Sequence, residues 1–133
     1  MSISYAAEVE FKNHPAIPSI LLERVLFSDY KLVSTDGVKQ VFKRVSVLNT
    51  VAFLSAGGSW EESPTKLTIK FLALPEKTKV SFQWELTDPF EQITDEGKKS
   101  YKAWIDNQLK DFINYVEQWL KAGEGLQNIG DGS

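Results

Sequence analysis

The stretch GKKSYKAWIDNQLKDFINYVEQWLK, residues 97–121, decides the fold of this 133-residue chain. Its apolar side chains recur at three- and four-residue steps, as at Tyr101, Ile105 and Leu109, while polar side chains fill the other half of the circumference. This spacing predicts one amphipathic helix about 37 Å long. Since a domain of this size has a radius of gyration of roughly 14 Å, the helix must lie right across whatever the rest of the chain forms.

Both ends of this helix carry sequence signals. Thr94 and the two acidic residues after it are typical of a helix start, and Gly123 is typical of a helix end. We therefore predict a helix over about residues 97–121 within a single domain of residues 1–123. Residues 124–133 are glycine-rich and polar, which predicts a flexible C-terminal tail.

Gln108 interrupts the apolar half of the predicted helix. A polar amide in such a position costs free energy unless it is hydrogen-bonded. Two interpretations stay open at this point. Gln108 is either a core residue bonded to a backbone group or a trapped water, or it faces a cavity and meets a ligand or the waters of that ligand.

The chain before the helix is rich in predicted strands. Residues 3–11 alternate apolar and polar side chains, which indicates a half-buried strand. Asn13-His14-Pro15 breaks that strand, and the apolar spacing of residues 15–26 predicts one or two short helices. Further strands are predicted at residues 30–34, 38–48, 51–56, 66–74 and 78–86. Because short turns join consecutive strands, the strands must pair antiparallel, and the fold class is α+β.

Composition excludes several classes of function. The chain has no cysteine and one histidine, which argues against a metal site. A net charge of −3 argues against a nucleic-acid partner. The chain has no glycine-rich phosphate-binding loop, so the sequence does not indicate a cofactor. No apolar run is long enough for a membrane span. The first residues, MSISYAAEVEF, lack the pattern of a signal peptide, so we expect a cytoplasmic protein.

The order strand, short helices, antiparallel meander and long terminal helix resembles the helix-grip fold of START-like and Bet v 1-like lipid- and hormone-binding domains. In that fold a curved antiparallel sheet wraps around the terminal helix and encloses a hydrophobic cavity. Gly57-Gly58 falls among the central strands, where such sheets bend. The chain also resembles a small archaeal family from thermoacidophiles whose members look like carriers of long-chain fatty acids. The resemblance implies a non-catalytic carrier with a fatty acid as its partner.

An apolar cavity of this kind is lined mainly by apolar and aromatic side chains. On the sheet we expect Phe71, Phe82 and Trp84 to face the helix. On the helix the corresponding candidates are Trp104, Gln108, Phe112 and Trp119.

The carboxylate of a fatty acid needs a partner or water. Arg44 is a candidate if its strand turns the face of Phe42 and Leu48 inward. Lys43 takes that place if Val41, Val45 and Val47 face inward, and a head group left at the mouth of the cavity needs neither cation. The register of this strand stays open.

Two other classes of function compete with a carrier. A small cyclase-type enzyme would need an acid–base group in the cavity. His14 stands at a strand end and is interpreted as a loop or capping residue, and no nucleophile motif accompanies it. A protein-interaction module with a filled core would instead present exposed apolar residues, for which Leu72 and Leu74 are the candidates.

Overall fold

The computed structural model describes residues 2–44, 65–87 and 93–131, with side chains described over 3–44, 65–86 and 93–122. The strands are β1 (Ser2–Lys12), β2 (Tyr30–Thr35), β3 (Lys39–Arg44), β4 (Thr65–Ala73) and β5 (Lys77–Thr87). The helices are α1 (Ile17–Phe27) and α2 (Asp95–Asp131). One antiparallel sheet and a long terminal helix confirm the predicted α+β helix-grip class.

The sheet has the strand order β1-β5-β4-β3-β2, and every neighbouring pair is antiparallel. Strands β2 and β3 form the predicted hairpin, in which Gly37 adopts a φ of 91° that favours glycine. The first strand pairs with β5 along its whole length, from Ser2 opposite Thr87 to Lys12 opposite Lys77. The predicted strand at 51–56, the end of the strand at 45–48 and the Gly57-Gly58 bend lie outside the described residues.

The inner face of the sheet is formed by alternate residues of paired strands. Leu67 lies opposite Trp84, and Ile69 lies opposite Phe82. All four side chains are buried, because α2 covers them with Tyr101, Ile105, Phe112 and Val116. The alternation that the sequence shows in β4 and β5 is therefore the alternation between core and solvent.

The segment after β1 forms a single helix, α1, where one or two were predicted. Pro18 stands in its first turn, where the missing N–H is tolerated. Its apolar residues Ile17, Ile20, Leu21 and Val25 are buried. This helix packs beside α2 on the same face of the sheet.

The long helix begins at Asp95, close to the predicted start. The backbone N–H of Gly97 donates to the Thr94 hydroxyl at 3.1 Å, which caps the first turn. The predicted end at Gly123 is wrong, because the backbone stays helical to Asp131. Glycine costs roughly 1 kcal/mol in a helix interior but can adopt helical angles, so a glycine signal does not enforce an end. No helix within the described residues combines the length and apolar character that crossing a membrane requires.

Candidate functional site

The register of β3 decides which cation reaches the inner face. Gln40 and Phe42 are buried and Lys43 is exposed, so the even-numbered residues of β3 point towards α2. Arg44 follows the same alternation and is half-buried. The alternative that places Lys43 inside is therefore wrong.

Arg44 lies among aromatic side chains. Its guanidinium carbon is 5.0 Å from the ring centroid of Tyr30 and 5.3 Å from that of Trp104. Its Nη2 donates a hydrogen bond to the backbone carbonyl of Ser28 at 2.7 Å. The Nε and Nη1 atoms are buried and donate to no acceptor among the described residues. An inward-facing cation thus has part of its hydrogen-bonding capacity unmet.

Arg24, the other arginine of the chain, is paired with a carboxylate. Its Nε and Nη2 donate to the two carboxylate oxygens of Asp111 at 2.8 and 2.6 Å. This two-pronged ion pair joins α1 to α2 and leaves the Arg24 charge compensated. Arg44 has no such carboxylate among the described residues.

Gln108 is bonded to side chains of the sheet. Its Oε1 accepts hydrogen bonds from the Tyr30 hydroxyl at 2.8 Å and from the Trp84 indole at 2.7 Å. The interpretation as a paired core amide is confirmed, although the partners are side chains and neither a backbone group nor a water. No described residue accepts from the Nε2 of Gln108. That Gln108 also meets a ligand stays a prediction.

Tyr30 is neutral in this setting. Burial raises the pKa of Tyr30 to about 12, against the opposing influence of the nearby Arg44 charge and of its hydrogen bonds. Its hydroxyl therefore keeps its proton and donates to Gln108. Burial likewise raises the pKa of Tyr101, whose hydroxyl lies 3.1 Å from that of Thr65.

We name Arg44, Tyr30, Trp84, Trp104 and Gln108 the Arg44 cluster. It draws residues from β2, β3, β5 and α2, so it exists only where the sheet meets the helix. Four of its members were predicted site residues, and Tyr30 was not. The turn alone gave no signal for Tyr30, because Tyr30 comes to lie opposite Arg44 only through a shift of the hairpin register between Leu32 and Ser34.

The other predicted lining residues lie elsewhere. Phe82 and Phe112 are fully buried, and the ring of Phe82 stacks on Trp84 at 5.6 Å and on Phe112 at 6.3 Å between centroids. Phe71 is half-buried and stands on β4 six residues from Thr65, or about 20 Å along the strand from the end that lies beside Arg44. Trp119 is 41% exposed and contacts His14 edge-on. Their contact with a ligand stays a prediction.

The outer face of the sheet carries a shallow depression of about 560 Å³. Its lining includes the small or polar residues Ala6, Glu8, Thr68, Lys70, Ser81 and Gln83. Such a surface does not match a long apolar ligand, which is bound mainly by apolar groups.

The residues considered for competing functions have defined positions. His14 Nδ1 accepts a hydrogen bond from the backbone N–H of Ala16 at 3.0 Å, which confirms its interpretation as a loop residue, while α1 has no side-chain cap. Leu72 is 54% exposed, and Leu74 is half-buried. Within the described ranges, no three carboxylate or imidazole groups come together as a metal site would require.

Comparisons with known proteins give limited information. No protein-family model matches the chain, and no curated protein matches it. A solved structure described as "Crystal structure of Ara h 8.0201" is similar with a TM-score of 0.47 and 10% identity, over 92% of this chain and 99% of that chain. The narrower resemblance to an archaeal carrier family finds no support in these comparisons. The helix-grip architecture therefore rests on the strand order and helix placement described above.

Proposed function

We propose that this domain binds a long-chain fatty acid, or a similar apolar ligand with a polar head, between the sheet and α2 and carries it without chemical change. The observation that carries the proposal is a set of apolar side chains on β1 and α2 that pack against the core and stay partly exposed, which we name the seam. The seam consists of Ile3, Tyr5, Ala7 and Val9 on β1 and of Leu109, Ile113 and Leu120 on α2.

The side chains of the seam differ from their neighbours in exposure. They pack against the core and remain partly exposed, whereas Leu67, Phe82 and Trp84 on the adjacent strands are covered. Ala7 lies opposite Phe82, so the smallest side chain of the seam stands midway along the edge strand β1. An apolar chain inserted there would bury surface on both sides, at about 0.8 kcal/mol for each methylene.

The two flanks of α2 are attached differently. On the α1 side the Arg24–Asp111 ion pair joins helix to helix. On the β1 side the Tyr5 hydroxyl donates to the carbonyl of Lys98 at 3.1 Å, near the first turn of α2. A ligand that enters along the seam beyond this bond would separate apolar side chains and break no ion pair that joins described residues.

A carrier is favoured over an enzyme by the state of the groups near the interior. The Nδ1 of His14 accepts a hydrogen bond from the backbone N–H of Ala16 in the turn before α1, and burial raises the pKa of Tyr30 to about 12. A general acid or base works best when its pKa lies near the operating pH. Tyr30 does not meet that requirement, and His14 is not a member of the Arg44 cluster.

Native mass spectrometry of the purified protein, followed by solvent extraction, tests the proposal first. A bound mass that resolves to a fatty acid, or stoichiometric binding of added hexadecanoate to the delipidated protein, is the expected result. A protein that is bare and binds no added hexadecanoate would contradict the proposal and favour an interaction module.

A pair of adjacent substitutions locates the site. Ala7→Phe should fill the seam and lower the affinity for hexadecanoate by roughly tenfold or more, because the ligand must compete with a ring already in place. Ala6→Phe is the matched control, since Ala6 points to the exposed outer face of the same strand. Equal affinities of the two variants would place the ligand elsewhere.

A further inference from the structure

We infer that Arg44 is the receptor for the ligand's carboxylate, so that the head group is held inside, between β3 and α2, and not at the mouth of the fold. The inference rests on the proposed function and adds the orientation and charge of the ligand.

The first step is the unmet hydrogen-bonding capacity of Arg44. Its Nε carries one N–H and its Nη1 carries two, and neither atom has a partner at hydrogen-bond distance among the described residues, although the Tyr30 hydroxyl lies near the guanidinium. Removing a charged group from water is costly unless hydrogen bonds and an opposite charge compensate it. By contrast, the charge of Arg24, which joins α1 to α2, is compensated by the carboxylate of Asp111.

The second step concerns what the surrounding rings supply. Tyr30 and Trp104 place their π-faces near the guanidinium, and this contact stabilises the positive charge. A ring face accepts no conventional hydrogen bond from the edge of the guanidinium, where the N–H groups lie. The rings therefore hold the Arg44 side chain in place and leave its donors available.

The third step is that the Arg44 cluster offers donors in excess. The Oε1 of Gln108 already accepts two hydrogen bonds, from Tyr30 and Trp84, so its Nε2 remains as a donor. A group that complements such a cluster must accept hydrogen bonds, and the single positive charge favours a single negative one. A carboxylate meets both conditions, whereas an ammonium group or another cation meets neither.

The test compares two probes of equal chain length, hexadecanoate and hexadecan-1-ol, by calorimetric titration. Arg44→Gln should lower the affinity for hexadecanoate on the order of 10- to 100-fold, the loss expected for a charge-assisted contact. The same variant should leave the affinity for hexadecan-1-ol unchanged. Lys43→Gln is the matched control, because it removes the same charge from the exposed face of the neighbouring position and should change neither affinity.

A second measurement uses the unaltered protein and so does not depend on how Arg44→Gln folds. Hexadecanoate labelled with carbon-13 at its carboxyl group is titrated with acid in the bound state and followed by NMR. A carboxylate beside Arg44 should stay ionised below its usual pKa range, since the neighbouring cation favours the charged form.

The outcomes separate the two proposals. Undiminished binding of hexadecanoate by Arg44→Gln, or titration of the bound carboxyl in its usual range, would overturn the role of Arg44 and leave the carrier function standing. A wild-type protein that binds neither probe would overturn both.

Discussion

At the scale of single residues, two polar side chains on the inner surface differ in how completely they are paired. Gln108 receives hydrogen bonds from Tyr30 and Trp84, which come from opposite parts of the sheet. The Nη2 of Arg44 donates to the Ser28 carbonyl, whereas Nε and Nη1 of Arg44 have no acceptor among the described residues. The first arrangement stabilises the fold, and the second is the observation behind the proposed carboxylate site.

Replacing Gln108 tests the stabilising part of this arrangement. Gln108→Leu would leave the Tyr30 hydroxyl and the Trp84 indole without their acceptor, and each unpaired buried donor costs about 1–3 kcal/mol. We expect the free energy of unfolding, measured by urea denaturation, to fall by roughly 2 kcal/mol or more. Gln118→Leu, at an exposed position of the same helix, is the control and should change stability by less than about 0.5 kcal/mol. Equal effects of the two substitutions would contradict the network.

At the scale of elements, the contact between α1 and α2 holds the long helix on the α1 side. Arg24 contributes to it in two ways, through the ion pair with Asp111 and through ring contacts at 5.1 Å with Phe27 and Tyr115. The side chains of the ion pair are 26% and 42% exposed, so solvent weakens the attraction only in part. The pair therefore orients α2 relative to α1 more than a fully exposed pair would.

A double-mutant cycle measures this coupling between the helices. With Arg24→Ala and Asp111→Ala we expect a coupling energy of about 1 kcal/mol, because the geometry is two-pronged and the site is partly buried. The same cycle on Lys77 and Glu10, whose side chains are 46% and 47% exposed, is the comparison. That pair should give a smaller coupling energy, because both side chains are more exposed and solvent screens their attraction. A coupling at Arg24–Asp111 no larger than at Lys77–Glu10 would show that the ion pair does not orient the helices.

At the scale of the whole molecule, one layer of helices covers one face of the sheet, which has five strands within the described residues. The largest fully buried side chains are aromatic, with Trp84, Tyr101, Phe42, Phe82 and Phe112 among them. The hydroxyl groups of two buried tyrosines, Tyr30 and Tyr101, form hydrogen bonds that connect the sheet to α2. The stability of the fold should therefore respond to ionisation of these hydroxyls.

Alkaline pH tests this dependence. Burial raises the pKa of Tyr30 to about 12 in the folded protein, while the unfolded chain titrates near its usual value of about 10. Between these values the folded state holds a proton that the unfolded state has lost, so stability falls as pH rises. The effect is about 1.4 kcal/mol for each pKa unit, and it is absent well below pH 10.

Urea denaturation at a series of pH values between about 8 and 11 measures the fall. Tyr30→Phe should reduce its slope, because the substitution removes one of the two buried hydroxyls. A free energy of unfolding that stays constant over this interval would contradict the burial of ionisable tyrosine.

Much of the architecture follows from the sequence, because apolar periodicity is a local property of one element. The two-residue period of β1, β4 and β5 and the three- and four-residue period of α2 identify these elements and their inner faces. The Thr94 start signal of α2 is confirmed for the same reason, since capping involves only neighbouring residues. The pairing of Tyr30 with Arg44 does not follow in this way, because the register of the hairpin shifts by one residue between Leu32 and Ser34.

Other features were decided by the tertiary structure. Gly123 lowers helix stability without forbidding helical angles, so its local signal did not determine where α2 ends. The alternation in β3 was compatible with either face of the strand pointing inward. Packing against α2 determined that the face with Phe42 and Arg44 is the inner one. The partners of Gln108 lie 24 and 78 positions away in the chain. Local periodicity thus determined the elements and their apolar faces, and the meeting of distant elements determined which polar groups are paired and which remain available to a ligand.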